Sequence, residues 1–245
     1  MHDASQDADG TRLIRVRGFP LRVRVTGTGE PLLLLSGLTR PLESWGSFCE
    51  KVPGRTLITF DAPGVGTSRT PMLPLTMLQL AALAASVLDA VGHPAADVLG
   101  FSFGGAVAQQ LAASAPHRVR RLVLVSTSCG VGAIPGASPT LSSLRRPEGA
   151  VAWPPVNALG TLWQSLAISS WSSIPLLGAI TAPTLVVGGT RDRLVPPANS
   201  RLLARRIRGA RLELIDAGHD LQRPVPAALL ARTVAAFAVE ASSAA

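Results

Sequence analysis

The chain has 245 residues, 47% of them hydrophobic, with a mean hydropathy of +0.33, which suits one domain with a large core and room for an inserted lid. Its net charge of +8 is almost wholly arginine, because Lys51 is the only lysine; with no tyrosine, six phenylalanines and four tryptophans there is no base-stacking platform. The composition therefore argues against nucleic-acid binding, and two lone cysteines, Cys49 and Cys129, argue against a disulfide scaffold.

Met1 to Gly10 is polar and acidic, without the basic start and apolar stretch of a secretory signal, and reads as a short tail (1–10). Arg12 to Arg17 and Leu21 to Val25 each alternate apolar and basic residues, predicting two strands with a turn near Gly18. Pro31 to Leu35 is a continuous apolar run, and Arg55 to Phe60 is similar; both read as strands buried on two faces, as in a parallel sheet. Leu75 to Val91 has helical periodicity and closes at Gly92. Strands are predicted at Asp97 to Leu99, Arg121 to Ser126, Pro183 to Val187 and Arg211 to Ile215, with a closing helix over Pro224 to Val239. No apolar run reaches the length that spans a membrane, and 241–245 reads as a second tail. Alternating strands and helices predict a doubly wound, mostly parallel α/β sheet, with core segments 11–129 and 179–240. Between them, 130–178 breaks the rhythm and holds Trp153, Trp163 and Trp171; a stretch this long reads as a lid, with amphipathic helix in Val156 to Trp171. Arg201, Arg205 and Arg208 fall at i, i+4 and i+7, one solvated arginine face of a helix.

The run Gly100-Phe101-Ser102-Phe103-Gly104-Gly105 lies between the strand ending at Leu99 and a helix over Ala106 to Ala115. A serine between glycines at a strand-to-helix junction is a nucleophile elbow: the turn projects the hydroxyl above the sheet, and the glycines let strand and helix close around it. A serine hydroxyl is a weak nucleophile and needs a base within hydrogen-bond reach. Of four histidines, His2 is in the tail, His93 precedes Pro94 in a helix-to-strand turn, and His117 follows the helix after the elbow. His219, in Asp216-Ala217-Gly218-His219-Asp220, lies just beyond the last strand, at the sheet edge that carries the elbow. The base needs a carboxylate to fix its tautomer. Asp192, after Gly188-Gly189-Thr190-Arg191, sits at the same edge one strand earlier, whereas Asp216 and Asp220 are too near His219 in sequence to face its inner ring nitrogen. The predicted catalytic set is Ser102, Asp192 and His219 in that chain order. Two N–H donors complete an oxyanion hole: Phe103, next to the serine, and Leu38, on the loop Ser36-Gly37-Leu38.

With these landmarks placed, the chain resembles the α/β-hydrolase superfamily over nearly its whole length. The matching segments are Leu35 to Leu38, Phe60 to Ser68, the elbow, Gly189 to Asp192 and Ala217 to His219. Within the superfamily, Phe60 to Ser68, Ala106 to Gln110 and Arg121 to Thr127 are most similar to intracellular polyhydroxyalkanoate depolymerases. Two departures stand out: Ser36-Gly37 replaces the usual His-Gly before the oxyanion loop, and the lid is short. The resemblance also implies that Asp61 orders the Gly64–Gly66 turn rather than taking part in catalysis.

These residues predict a serine esterase that acts on a small to medium-chain ester, a hydroxyacyl oligomer or a lactone, with no cofactor and no metal. Phe101, Trp153, Trp163 and Trp171 are the expected pocket walls beside Phe103 and Leu38. The expected setting is cytoplasmic, as a monomer or homodimer acting on a small-molecule ester, with neither nucleic acid nor membrane as partner. The same fold and triad also serve C–C bond hydrolysis, cofactor-free perhydrolysis and slow-turnover ligand sensing, which differ from the main reading in substrate or in rate.

Overall fold

The computed structural model describes residues 9–137 and 154–243, with the backbone alone for 242 and 243. Eight strands form one sheet: β1 (Thr11–Val16), β2 (Phe19–Thr26), β3 (Glu30–Leu35), β4 (Arg55–Phe60), β5 (Ala96–Phe101), β6 (Val119–Val125), β7 (Thr184–Gly189) and β8 (Arg211–Ile215). Their order across the sheet is β1-β2-β4-β3-β5-β6-β7-β8. β1 and β2 form an antiparallel hairpin, and β2 also runs antiparallel to β4; from β4 to β8 every pairing is parallel. The parallel strands are the apolar runs of the sequence, and β5 and β7 are buried along their whole length. Their C-terminal ends therefore share one edge, where a doubly wound sheet places its site.

Strand periodicity of two divides the core in two. On one face Leu33, Val98, Leu122, Leu124 and Val186 pack against α2 (Met77–Ala90), α3 (Phe103–Ser114) and α5 (Pro197–Arg206). On the other, Leu32, Leu34, Leu99, Phe101, Val123 and Val187 pack against α1 (Gly46–Cys49) and α6 (Pro224–Ser243). Each fully buried side chain of this kind contributes about 1.5–3 kcal/mol. Thr76 starts α2 with a reciprocal capping box with Gln79, as the sequence boundary near Leu75 implies. Arg201, Arg205 and Arg208 are exposed, but α5 ends at Arg206, so Arg208 lies just past the helix.

Two boundaries differ from the sequence reading. Asp9 and Gly10 are docked rather than part of a tail: the Asp9 carboxylate accepts from Thr11 N–H and pairs with Arg24, and Gly10 carbonyl accepts from Val25 N–H. At the other end α6 continues through 241–243, because Ala241 still packs on the core. The stretch Pro224–Ala241 is also long and apolar enough, by length and composition, to cross a membrane, although Arg232 and Glu240 leave no unbroken apolar run. One face of it, Ala227, Leu230, Ala231, Val234 and Phe237, is buried against the sheet.

Between β6 and β7, residues 154–183 contribute one helix, α4 (Ala158–Ser169), capped by the Asn157 side chain on Gly160 N–H. It lies along the loop that follows β4. Asn157 Nδ2 donates to Thr70 Oγ1 at 2.9 Å and Trp163 Nε1 to Pro71 carbonyl at 3.1 Å. Gly160 and Gly64 meet backbone to backbone; a Cβ on Gly160 would stand 2.0 Å from Gly64 carbonyl oxygen.

Candidate active site

Ser102 sits at the junction of β5 and α3 with φ 53° and ψ −117°. A non-glycine residue in that region carries strain of about 1–3 kcal/mol and persists only where its surroundings hold it. Here they do: Ser102 N–H donates to Val125 carbonyl at 2.8 Å, and Thr127 Oγ1 donates to Ser102 carbonyl at 2.7 Å. The glycines on either side are forced by close approach. A Cβ on Gly100 would meet Gly104 carbonyl oxygen at 2.4 Å, and one on Gly104 would meet Leu35 carbonyl oxygen at 2.1 Å.

Three predicted side chains meet at the C-terminal edge. His219 Nε2 lies 3.1 Å from Ser102 Oγ, and its Nδ1 lies 2.8 Å from Asp192 Oδ2. The Asp192 carboxylate is fully buried, and its other oxygen accepts from Leu194 N–H at 3.0 Å and Val195 N–H at 2.8 Å. Those two amides fix its orientation and aim Oδ2 at the imidazole. The rival acids are engaged elsewhere, Asp216 with Arg191 and Thr190, Asp220 with Arg40 and Arg223. His93 and His117 lie in the turns leading into β5 and β6, at the opposite end of the strands; His2 is outside the described residues.

Phe103 is the first residue of α3, where backbone N–H groups have no intrahelical acceptor. Among the described residues neither Phe103 N–H nor Leu38 N–H has a hydrogen-bond partner. The Leu38 loop is held on both sides. Ser36 Oγ accepts from Trp45 Nε1 at 2.9 Å, Arg40 N–H closes a turn on Gly37 carbonyl at 3.1 Å, and Thr39 N–H donates to Gln164 Oε1 at 2.9 Å. Ser36 thus serves as an acceptor for a buried tryptophan.

The expected pocket walls separate. A small cavity of about 30 Å³ opens against Gly37, Phe103, Arg40 and Gln164, with apolar walls from Leu80 and Val107. Phe101 is not among its walls. It is 1% exposed and faces the α6 side of the sheet, its ring 5.2 Å from that of His219 and beneath the Arg40 guanidinium. Trp163 borders a second cavity of about 10 Å³ that shares Leu80 and Gln164 with the first. Trp171 borders a wider groove of about 490 Å³ between α2 and α4, and donates its Nε1–H to Gln110 Oε1 at 2.8 Å. Trp153 lies outside the described residues. Arg40, at the end of the Leu38 loop, and Gln164, which reaches the cavity wall from distant α4, are polar groups that no sequence motif singles out.

Asp61 lies apart from the triad. Its Oδ1 accepts from Leu42 N–H at 2.8 Å, and its Oδ2 from Thr67 N–H at 3.3 Å and Arg22 at 3.2 Å, so it ties the turn through Gly64 and Gly66 to the start of the helical turn Leu42–Trp45. Burial pushes its carboxyl above the usual carboxylate range, against those donors. Among the described residues no three His, Cys, Asp or Glu side chains are grouped as a metal site requires.

The chain as a whole has counterparts among known proteins. Residues 30–150 match the family described as the alpha/beta hydrolase fold. The poly(3-hydroxyalkanoate) depolymerase of Ectopseudomonas oleovorans is 37% identical over 219 residues, covering 77% of this chain and 77% of that protein. The chain belongs to the α/β-hydrolase family. The 2-hydroxymuconate semialdehyde hydrolase of Pseudomonas sp. strain CF600 is 29% identical over 271 residues, covering 96% of this chain and 95% of that one. The enol-lactonase of Burkholderia xenovorans LB400 superposes with a TM-score of 0.81 over 93% of this α/β hydrolase and 99% of its own chain, at 24% identity, a likeness of fold.

Proposed function

We propose that this α/β hydrolase cleaves carboxylic esters of small to medium-chain acyl groups, hydroxyacyl oligomers or lactones through an acyl-enzyme on Ser102. The observation that carries the reading is the single imidazole of His219 spanning Ser102 Oγ and a buried, amide-held Asp192. As Ser102 Oγ attacks the ester carbonyl carbon, Nε2 of His219 takes its proton, and Asp192 stabilises the imidazolium through Nδ1–H. The carbonyl oxygen becomes an oxyanion that the Leu38 and Phe103 N–H groups receive, aided by the positive end of α3. His219 gives the proton to the leaving alkoxide, which departs as alcohol. Water then enters, gives a proton to Nε2 and attacks the acyl carbon; Ser102 leaves with that proton, and the acid is released.

The largely apolar walls of the cavity beside Gly37 and Phe103 support an acyl substrate, and the depolymerase relative supports hydroxyacyl esters within that class. The reading places the protein in the cytoplasm as a monomer or homodimer without nucleic acid; the free thiols Cys49 and Cys129 support that compartment. A second reading, C–C bond hydrolysis, is favoured by the near full-length match to a 2-hydroxymuconate semialdehyde hydrolase. A nitrophenyl ester series from acetyl to dodecanoyl, with wild type and Ser102→Ala, decides between them. Ester turnover lost in the variant supports the esterase. A wild type inert on every ester but active on a vinylogous 1,5-diketone supports the second reading.

A further inference from the structure

We infer that Gln164 of α4 is a positioning residue that arms the oxyanion loop; the inference rests on the esterase reading above and adds a component to it. The loop from Ser36 to Arg40 contains Thr39 at φ 62°, a β-branched residue in a region such residues rarely occupy. The hydrogen-bonded turn from Gly37 to Arg40 places Thr39 at its third position, where φ is positive, but a β-branched residue is strained there. A long-range bond reinforces the turn: Thr39 N–H donates to Gln164 Oε1 at 2.9 Å, across 125 positions of sequence. A backbone N–H fixes which end of the amide faces it, because only the oxygen accepts. Gln164 is 4% exposed, so its hydrogen bond is shielded from competing water.

The placement of α4 does not depend on this contact. Asn157, Trp163 and the Gly160–Gly64 approach already clamp the helix to the loop after β4. Gln164 is then a rigidly mounted acceptor that selects the backbone orientation of residue 39. Thr39 N–H lies in the 38–39 peptide, so this bond fixes that plane; the preceding peptide, 37–38, carries Leu38 N–H, which has no partner among the described residues and lies on the loop bordering the same cavity as Phe103. Release of the 38–39 plane would let the turn relax and the 37–38 peptide rotate, turning that donor away from the carbonyl it is to receive. Helix α4 and the oxyanion loop are coupled through one amide, which holds the loop in the conformation that presents Leu38 N–H.

The test uses Gln164→Met, which keeps length and volume but has no carbonyl acceptor, in the full chain. Removal of one oxyanion donor lowers kcat by about 10²–10³-fold, so mispositioning one is expected to lower kcat about 10- to 100-fold with KM changed less than about threefold. Affinity for an alkyl boronic acid, which forms a tetrahedral adduct on serine, should fall with kcat. Thr39→Gly supplies the rescue: glycine adopts φ near 62° without a Cβ clash, so in that background Gln164→Met should lower kcat by no more than about threefold. In the wild type, hydrogen exchange at Thr39 N–H should be protected. An unchanged kcat, a change confined to KM, an equal loss in both backgrounds, or an unprotected Thr39 amide overturns the inference. The exchange measurement decides even where Gln164→Met fails to fold. Ester hydrolysis that survives Ser102→Ala brings down the esterase reading, and this inference with it.

Discussion

Arg40 and Asp220 join the oxyanion loop to the histidine loop: the guanidinium meets the carboxylate at 3.2 and 3.4 Å across 180 positions of sequence. Arg40 also lies over the Phe101 ring at 5.5 Å, and that ring faces His219. The pair therefore braces His219, the proposed base, from two sides. Both side chains are about one-seventh exposed, so the pair is screened only in part. Asp220→Asn and Arg40→Gln should each lower kcat about three- to tenfold, by allowing small displacements of a base that must be held within fractions of an ångström. Each should lower stability by about 1 kcal/mol. Steady-state kinetics with thermal unfolding checks both, and full activity in either variant would show that the His219 loop stands without the bridge.

The triad makes graded predictions. Ser102→Ala should abolish ester turnover while leaving the fold, since the strained backbone is held by Val125 and Thr127 rather than by the hydroxyl. Asp192→Asn should lower kcat by about 10³–10⁴-fold. In that variant the amide must keep its oxygen toward Leu194 and Val195 N–H, which turns its NH₂ toward His219 Nδ1 and imposes the wrong tautomer. Burst kinetics with a nitrophenyl ester measures acylation directly; a fall of less than tenfold for Asp192→Asn would mean that another acid orients the imidazole.

Much of this arrangement is legible in the sequence because the signals are local. Apolar runs mark strands buried on both faces, and the glycines around Ser102 mark a turn that admits no side chains. Once the strand order is known, His219 and Asp192 fall at the end of consecutive strands. Phe101 is instructive. Its neighbour is the predicted nucleophile, which suggests a pocket wall, yet period-two alternation along β5 puts Leu99 and Phe101 on the same, α6-facing side. That signal is in the sequence. Gln164–Thr39 and Arg40–Asp220 carry no comparable signal, because each joins segments whose separation only the folded chain closes. The cavity walls are hidden for the same reason: Leu80 reads as the core stripe of an amphipathic helix, and it is that as well.

The elbow has no tolerance at Gly104. A methyl there would stand 2.1 Å from Leu35 carbonyl oxygen and 2.6 Å from that of Ser36. Both partners are backbone at the end of a central strand, so relief requires moving α3 away from β3. Gly104→Ala is expected to lower stability by about 2–4 kcal/mol, at the upper end of single substitutions, and to lower kcat because Ser102 and the Leu38 loop separate. Urea unfolding with activity measured on the folded fraction separates the two effects. A variant with wild-type stability would mean that the approach of α3 to β3 is looser than these contacts require.

The two thiols offer a test that is independent of catalysis. Burial pushes the Cys49 thiol up to about 12 and raises that of Cys129 as well. At pH 8 a thiol with that value is thiolate in only about one molecule in 10⁴, against about one in four for an ordinary cysteine. Native protein should react with a disulfide reagent far more slowly than the unfolded chain, in which both thiols react at the ordinary rate. The sign of the pH effect follows: a raised folded value stabilises the neutral form, so this contribution to stability is complete below the ordinary thiol value near 9 and is lost as pH rises through 12. Rapid stoichiometric labelling at pH 8 without loss of folding would place Cys49 at the surface and contradict its packing beside Trp45 and Phe48 in the α6 face of the core.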